Sequence, residues 1–200
     1  MSSPTLTTIF SPTPEQVLDL SGAGTGPFTK QSDNEPMRAT YGTSIFSVVP
    51  PATPTDFLMI QGSATKLVRL KSIILAGSAS AAANIQCILV RRSSPGTGGA
   101  WTPVTGVNHD TNDSAPTAVV QFATTLPSPV GTAVGTLHRG RLNLAPAANG
   151  SVDRLMWQWG WQNDKAPVLR GASDYLFLNF AGAAWPSGGV LDCDLLWTEE

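Results

Sequence analysis

The chain has 200 residues, 42% of them apolar and only 13% charged, with 19 glycines and 16 prolines, a balance that points to one domain of short strands joined by many loops. A net charge of -2, a pI near 5.6 and the lack of any basic run exclude the electrostatic footprint of nucleic-acid binding. No run of 18 apolar residues marks a membrane span, and the N-terminus lacks the basic region and apolar core of a signal peptide, so use without secretion and without a membrane is expected.

Residues 1 to 36 carry Pro4, Pro12, Pro14, Pro27 and Pro36, the stretch 22-GAGTG-26, and the isolated apolar residues Ile9, Phe10, Val17, Leu18, Leu20 and Phe28. Apart from one turn of helix over 14-PEQVLDL-20, such a segment has too little contiguous apolar surface to fold alone. It reads either as an extended arm that orders against a partner through those six anchors, or as a disordered tail. Extended, about 30 such residues reach up to ~100 Å, enough to cross onto a neighbouring subunit.

From Met37 onward the pattern is strand after strand. Strands are predicted over 39–49, 55–62, 65–75, 83–92, 117–123, 133–144, 154–161, 167–171, 174–182 and 189–198. Along 154-RLMWQWGWQN-163, Leu155, Trp157, Trp159 and Trp161 share one face while Gln158, Gly160 and Gln162 share the other. In 190-VLDCDLLWTEE-200, Leu191, Cys193, Leu195 and Trp197 lie opposite Asp192 and Asp194. This period of two marks half-buried strands. In 174-DYLFLNF-180 both faces are apolar, Leu176, Leu178 and Phe180 against Tyr175 and Phe177, which predicts a central strand covered twice or one that offers its second face to a partner.

Ten short strands with no amphipathic helix between them predict an all-β, antiparallel β-sandwich. A jelly roll suits the strand count, and an immunoglobulin-like sandwich is the nearest competitor, though its Cys…Trp…Cys spacing is absent. The Ser-, Pro-, Gly- and Asn-rich insertion from Ser93 to Pro116 is expected to be a surface loop or pair of loops at one end.

Chemistry has few carriers. His109 and Asp110 lie in 107-VNHDTNDS-114 and His138 in a strand, but no nucleophile elbow accompanies them. Asp110, Asn112 and Asp113 lack the glycine and distal glutamate of a calcium loop. Asp192 and Asp194 share a face and read as a solvated outer surface rather than a cation site. The 22-GAGTG-26 stretch neither follows a strand nor ends in Lys-Ser/Thr, as a phosphate loop does. Asn112 and Asn149 sit in N-x-S sequons whose plain role is turn formation. No catalytic residue, cofactor or metal is therefore expected. Cys87 and Cys193 fall on apolar strand faces and read as buried reduced thiols, a disulfide requiring facing strands and an oxidising compartment. Trp157, Trp159, Trp161 and Trp197 read as core, whereas Trp101 and Trp185 sit in loops and are candidate exposed contacts for a sugar ring.

The stretches 54-PTDFLMIQGSATKLVRLKSIILAG-77, 166-APVLRGASDYLFLNFAG-182 and 191-LDCDLLWTEE-200 resemble a group of small β-rich proteins of tailed bacteriophages. The likeness covers roughly residues 39 to 200, including the loop 101–120, and leaves the arm uncovered. It implies a non-enzymatic virion structural protein, either a capsid decoration (cement) protein or a fibre or tail module. A cement protein must adhere to a repeating lattice, and a threading arm serves that. Fibres often show long repeats, and none is visible here. Capsid decoration is therefore preferred, with the major capsid protein as partner, a homo-oligomer (a trimer favoured), and a place on the capsid exterior after assembly in the host cytoplasm. The runner-up is a tail- or fibre-associated module that binds host-surface glycan.

Overall fold

The computed structural model describes residues 38–146, 148, 153–160 and 165–200. The six arm anchors, the 22–26 glycines, Asn149 and Trp161 lie outside the described residues.

Twelve strands are present: β1 (Ala39–Val48), β2 (Asp56–Gln61), β3 (Leu67–Ala79), β4 (Ala83–Arg92), β5 (Ala100–Val104), β6 (Val107–Asn108), β7 (Val119–Thr125), β8 (Ala133–Pro146), β9 (Arg154–Gln158), β10 (Val168–Arg170), β11 (Tyr175–Asn179) and β12 (Val190–Glu199). One sheet runs β6-β1-β12-β3, with β9 and β10 sharing the far edge of β3; the other runs β5-β7-β2-β11-β4-β8. With β5, β6, β7 and β10 set aside, the sheets read β1-β12-β3-β9 and β2-β11-β4-β8, every neighbour antiparallel. The chain is folded back on itself so that β1 meets β12, β2 meets β11, β3 meets β9 and β4 meets β8, with alternate pairs in alternate sheets. That is jelly-roll topology in an all-β sandwich. The last residues of β8 pair in parallel with Ser78 and Ala79 of β3, which joins the sheets at one corner.

Alternation places the core. Tyr41, Ile45, Leu191, Cys193, Leu195 and Trp197 point inward from the first sheet and Leu58, Ile60, Cys87, Leu89, Leu176 and Leu178 from the second, all buried in one cluster. In β3 the inward set switches from Val68 and Leu70 to Ile73 and Leu75, because the register against β12 slips by one residue between Leu196 and Trp197. One extra residue at Lys71–Ser72 forms a bulge that keeps both halves of this long strand facing the core.

The insertion after β4 is not the expected loop. Within it lie β5 and β6: β5 pairs with β7, which follows the insertion and itself pairs with β2, and β6 pairs with β1, so the insertion extends one edge of each sheet. Pro103 is tolerated in β5 because β5 is an edge strand that needs no donor on its outer side. The start of the insertion is tied to the segment between β7 and β8 by Ser93 N–H to Thr132 O (3.0 Å) and Ser128 N–H to Thr97 O (2.8 Å).

This insertion explains the two-faced apolar strand. Leu176 and Leu178 of β11 face the core, while Phe177, also fully buried, packs under Trp101 with ring centroids 5.9 Å apart. The Arg92 guanidinium lies over the Phe177 ring, pairs with buried Asp56 (Nε to Oδ2, 2.6 Å) and donates to Gly131 O at 2.7 Å. β11 is thus central and covered twice within the chain.

Candidate functional site

The two outer faces of the sandwich differ. Over the second sheet Trp101 of the insertion lies on Phe177, and Met59, Phe177 and Val90 are none more than 8% exposed. Over the first sheet apolar side chains stand in solvent: Phe46 is 80% exposed, Val107 64% and Met156 58%. Val119 on β7 and Val134 and Leu137 on β8 of the second sheet are exposed too; on the first sheet the exposed apolar groups are interleaved with polar ones, as in a contact surface.

Strand pairing builds this face. Met156 on β9 lies opposite Ile74 on β3, Ile74 opposite Asp194 on β12, and Asp194 opposite Ser44 on β1, which gives one row across four strands. The adjoining rows hold Gln158, Ser72, Leu196 and Gly42 on one side, and Arg154, Ala76 and Asp192 on the other. The two carboxylates are held in place: Ser44 Oγ donates to Asp194 Oδ1 at 2.5 Å, and the Ser47 amide donates to Asp192 Oδ1 at 2.7 Å. Ser47 adopts left-handed φ (52°) at an irregularity in β1, where the amide capped by Asp192 supports a conformation disfavoured for residues with a Cβ. In each carboxylate Oδ2 is left as an acceptor with no partner among the described residues.

A wall rises beside this face. The His109 amide donates to Thr40 O at 2.9 Å, and the ring lies over Gly42, with Nε2 3.0 Å from where a Cβ would stand. Only glycine at position 42 leaves the imidazole this space. The wall is fastened to β1 by Tyr41 Oη donating to Ser114 O (2.8 Å) and Thr43 Oγ1 donating to Thr105 O (2.9 Å). Between wall and sheet lies a depression of about 620 Å³ lined by Ser44, Ser72, Ile74, His109, Asp194 and Leu196 among others. A second depression, of about 220 Å³, adjoins it across Ser44, Ile74 and Asp194 and reaches Phe46, Arg154 and Asp192.

The other expected positions are placed as follows. Trp101 and Trp185 are half-buried rather than open platforms: Trp101 packs on Phe177, while Trp185 packs on Phe180 at 5.2 Å and donates from Nε1 to Gly189 O at 3.0 Å. Trp157, Trp159 and Trp197 belong to the core. His138 accepts from Trp159 Nε1 at 2.7 Å and lies between the Trp157 and Trp159 rings. Asp110 Oδ1 accepts the Asn112 amide at 2.9 Å in a closed turn. Among the described residues no three His, Cys, Asp or Glu side chains converge as metal ligands. Cys87 and Cys193 are free and buried; burial pushes the Cys87 thiol up to about 12 and raises that of Cys193, with Asp194 and Cys87 adding to the latter, so both are unreactive thiols at neutral pH.

One buried carboxylate had no signal in the sequence. Glu199 accepts from the Thr117 amide and hydroxyl, the Ala118 amide and Trp197 Nε1, at 2.6 to 3.1 Å, with Lys66 Nζ 3.6 Å away. Burial alone would raise its pKa; the donated hydrogen bonds outweigh that and hold the group below its ordinary value. A depressed folded-state pKa contributes stability that is present above the ordinary glutamate range and is lost as pH falls through the folded value. Glu199→Gln is therefore expected to cost about 1.5–3 kcal/mol at neutral pH. Urea midpoints across acid pH check this: the loss relative to the parent chain should shrink as pH falls.

No family model, curated protein or solved structure matches the chain. The functional reading accordingly rests on the residues and on their placement.

Proposed function

We propose that this protein is a non-enzymatic bacteriophage virion component, a capsid decoration protein that binds the major capsid protein lattice through its N-terminal arm and stabilises the shell. The observation that carries the reading is a contrast within the chain. Residues 38–200 form one compact unit whose strands pair among themselves, whereas residues 1–36 carry dispersed apolar anchors without strand or helix periodicity. Dispersed anchors on a long tether suit weak, repeated attachment to a lattice, in which many copies act together. The likeness of three stretches of the body to tailed-phage proteins supports the same reading.

Deleting residues 2–35 is expected to leave a β-protein that unfolds cooperatively and no longer sediments with purified heads. Undiminished head binding by the truncated chain would sink the arm's role. A second reading, a tail- or fibre-associated module that binds host-surface glycan, is favoured by the open, partly apolar face of the first sheet. It predicts that the protein co-purifies with detached tails instead of heads.

A further inference from the structure

We propose that the groove formed by the two adjoining depressions on the outer face of the β1 sheet binds a saccharide chain. Phe46 and the Ile74–Leu196 floor would take sugar C–H faces, and Asp194, Asp192, Ser72 and His109 the hydroxyls. The inference names the ligand and site of the glycan-binding activity considered above, and it holds whether the protein sits on a head or a tail.

The lining selects this chemistry. A sugar ring presents an apolar face and an edge of hydroxyls that both donate and accept, so its site needs an exposed ring or aliphatic patch beside fixed acceptors. Phe46, 80% exposed, is the ring, and it is spent on no contact within the core. The acceptors are already fixed: Asp194 and Asp192 each have one oxygen held by Ser44 or Ser47, at 2.5 and 2.7 Å, which orients the other outward. Gly42 reserves the space that lets His109 form the wall.

Other occupants fit less well. A divalent cation needs more ligands than two aspartates separated along one strand, and the Arg154 guanidinium lines the same depression. A partner β-strand needs a free backbone edge, and this is a sheet face whose central strands are hydrogen-bonded on both sides. The groove continues across both depressions, which share Ser44, Ile74 and Asp194, so successive units of a chain have successive places.

The test uses the isolated full chain, uniformly labelled with ¹⁵N, titrated with methyl glucopyranoside, galactopyranoside and mannopyranoside to high millimolar concentration. Saturable amide shifts confined to the segments around Ser44, Ser72, His109 and Asp194 are expected with at least one glycoside. Asp194→Ala should weaken that binding about tenfold, from the loss of a charged acceptor. Phe46→Ala should weaken it several-fold with an unchanged urea midpoint, since the ring lies outside the core, so the proposal remains testable if Asp194→Ala proves unstable. No saturable shift with any of the three glycosides, shifts mapping elsewhere, or unchanged affinity in Phe46→Ala would overturn it. No capsid takes part in this experiment, so its failure is separate from failure of the decoration reading.

Discussion

Arg92→Ala is expected to destabilise the sandwich by about 3–5 kcal/mol, because it strands Asp56 as an unpaired charge in the interior. Asp56 is fully buried, and its carboxylate receives Arg92 Nη2 at 2.8 Å and Asn179 Nδ2 at 2.7 Å, while Arg92 Nη1 reaches Gly131 O. The same guanidinium therefore ties β4 to the start of β2 and to the segment between β7 and β8. Its loss should also loosen the cover over Phe177. Urea unfolding measures the stability term, and faster proteolysis between residues 93 and 132 reports the local one. The double variant Asp56→Leu with Arg92→Met should recover part of the loss, since an apolar pair avoids the stranded charge. Recovery should be incomplete because Gly131 O and the Asn179 amide still lack partners.

Trp197→Ala is expected to cost a similar ~3–5 kcal/mol, through lost apolar burial and the cavity left behind. The indole is 1% exposed, stacks on Tyr41 with centroids 5.8 Å apart, and donates to Glu199. It also approaches Gly106 so closely that a Cβ there would stand 2.8 Å from the ring. Truncation thus empties the core and removes a donor from the carboxylate that holds Thr117 and Ala118. Thermal unfolding should show the loss, and Trp197→Phe, which keeps most of the volume, should fall between the two.

Period-two patterning made ten of the strands legible, and in β9 and β12 the inward faces too, because a strand half-covered by a core must alternate. The β3 bulge was not legible: Ile73, Ile74 and Leu75 are consecutive apolar residues, so the switch of the inward set from Val68 and Leu70 to Ile73 and Leu75 emerges only from the pairing with β12. The strands β5 and β6 were not legible. One contains Pro103, the other spans two residues, and both exist only because β7 and β1 offer an open edge. Tertiary pairing of this kind overrides local propensity.

The open face was legible in part. Alternation sets Ser44 and Phe46 opposite Thr43 and Ile45, so an outward phenylalanine could be read from β1 alone. Its assembly with Asp194 could not, since Ser44 and Asp194 lie 150 positions apart in the chain. The His109 wall depends on the insertion docking along β1, which no local pattern announces. Trp101 and Trp185 read as loop residues free for a ligand, yet the packing that half-buries them comes from Phe177 and Phe180 on a distant strand.

The decoration reading is tested most directly by DNA retention in phage heads stripped of this protein and then reloaded with the purified full chain. Each bound copy favours the assembled shell by mass action, so stripped heads should release DNA at a lower temperature than decorated ones, and adding the protein back should restore the original value. Equal release temperatures in stripped and decorated heads, together with failure of stripped virions to adsorb to cells, would contradict the account and place the protein in the tail or fibre.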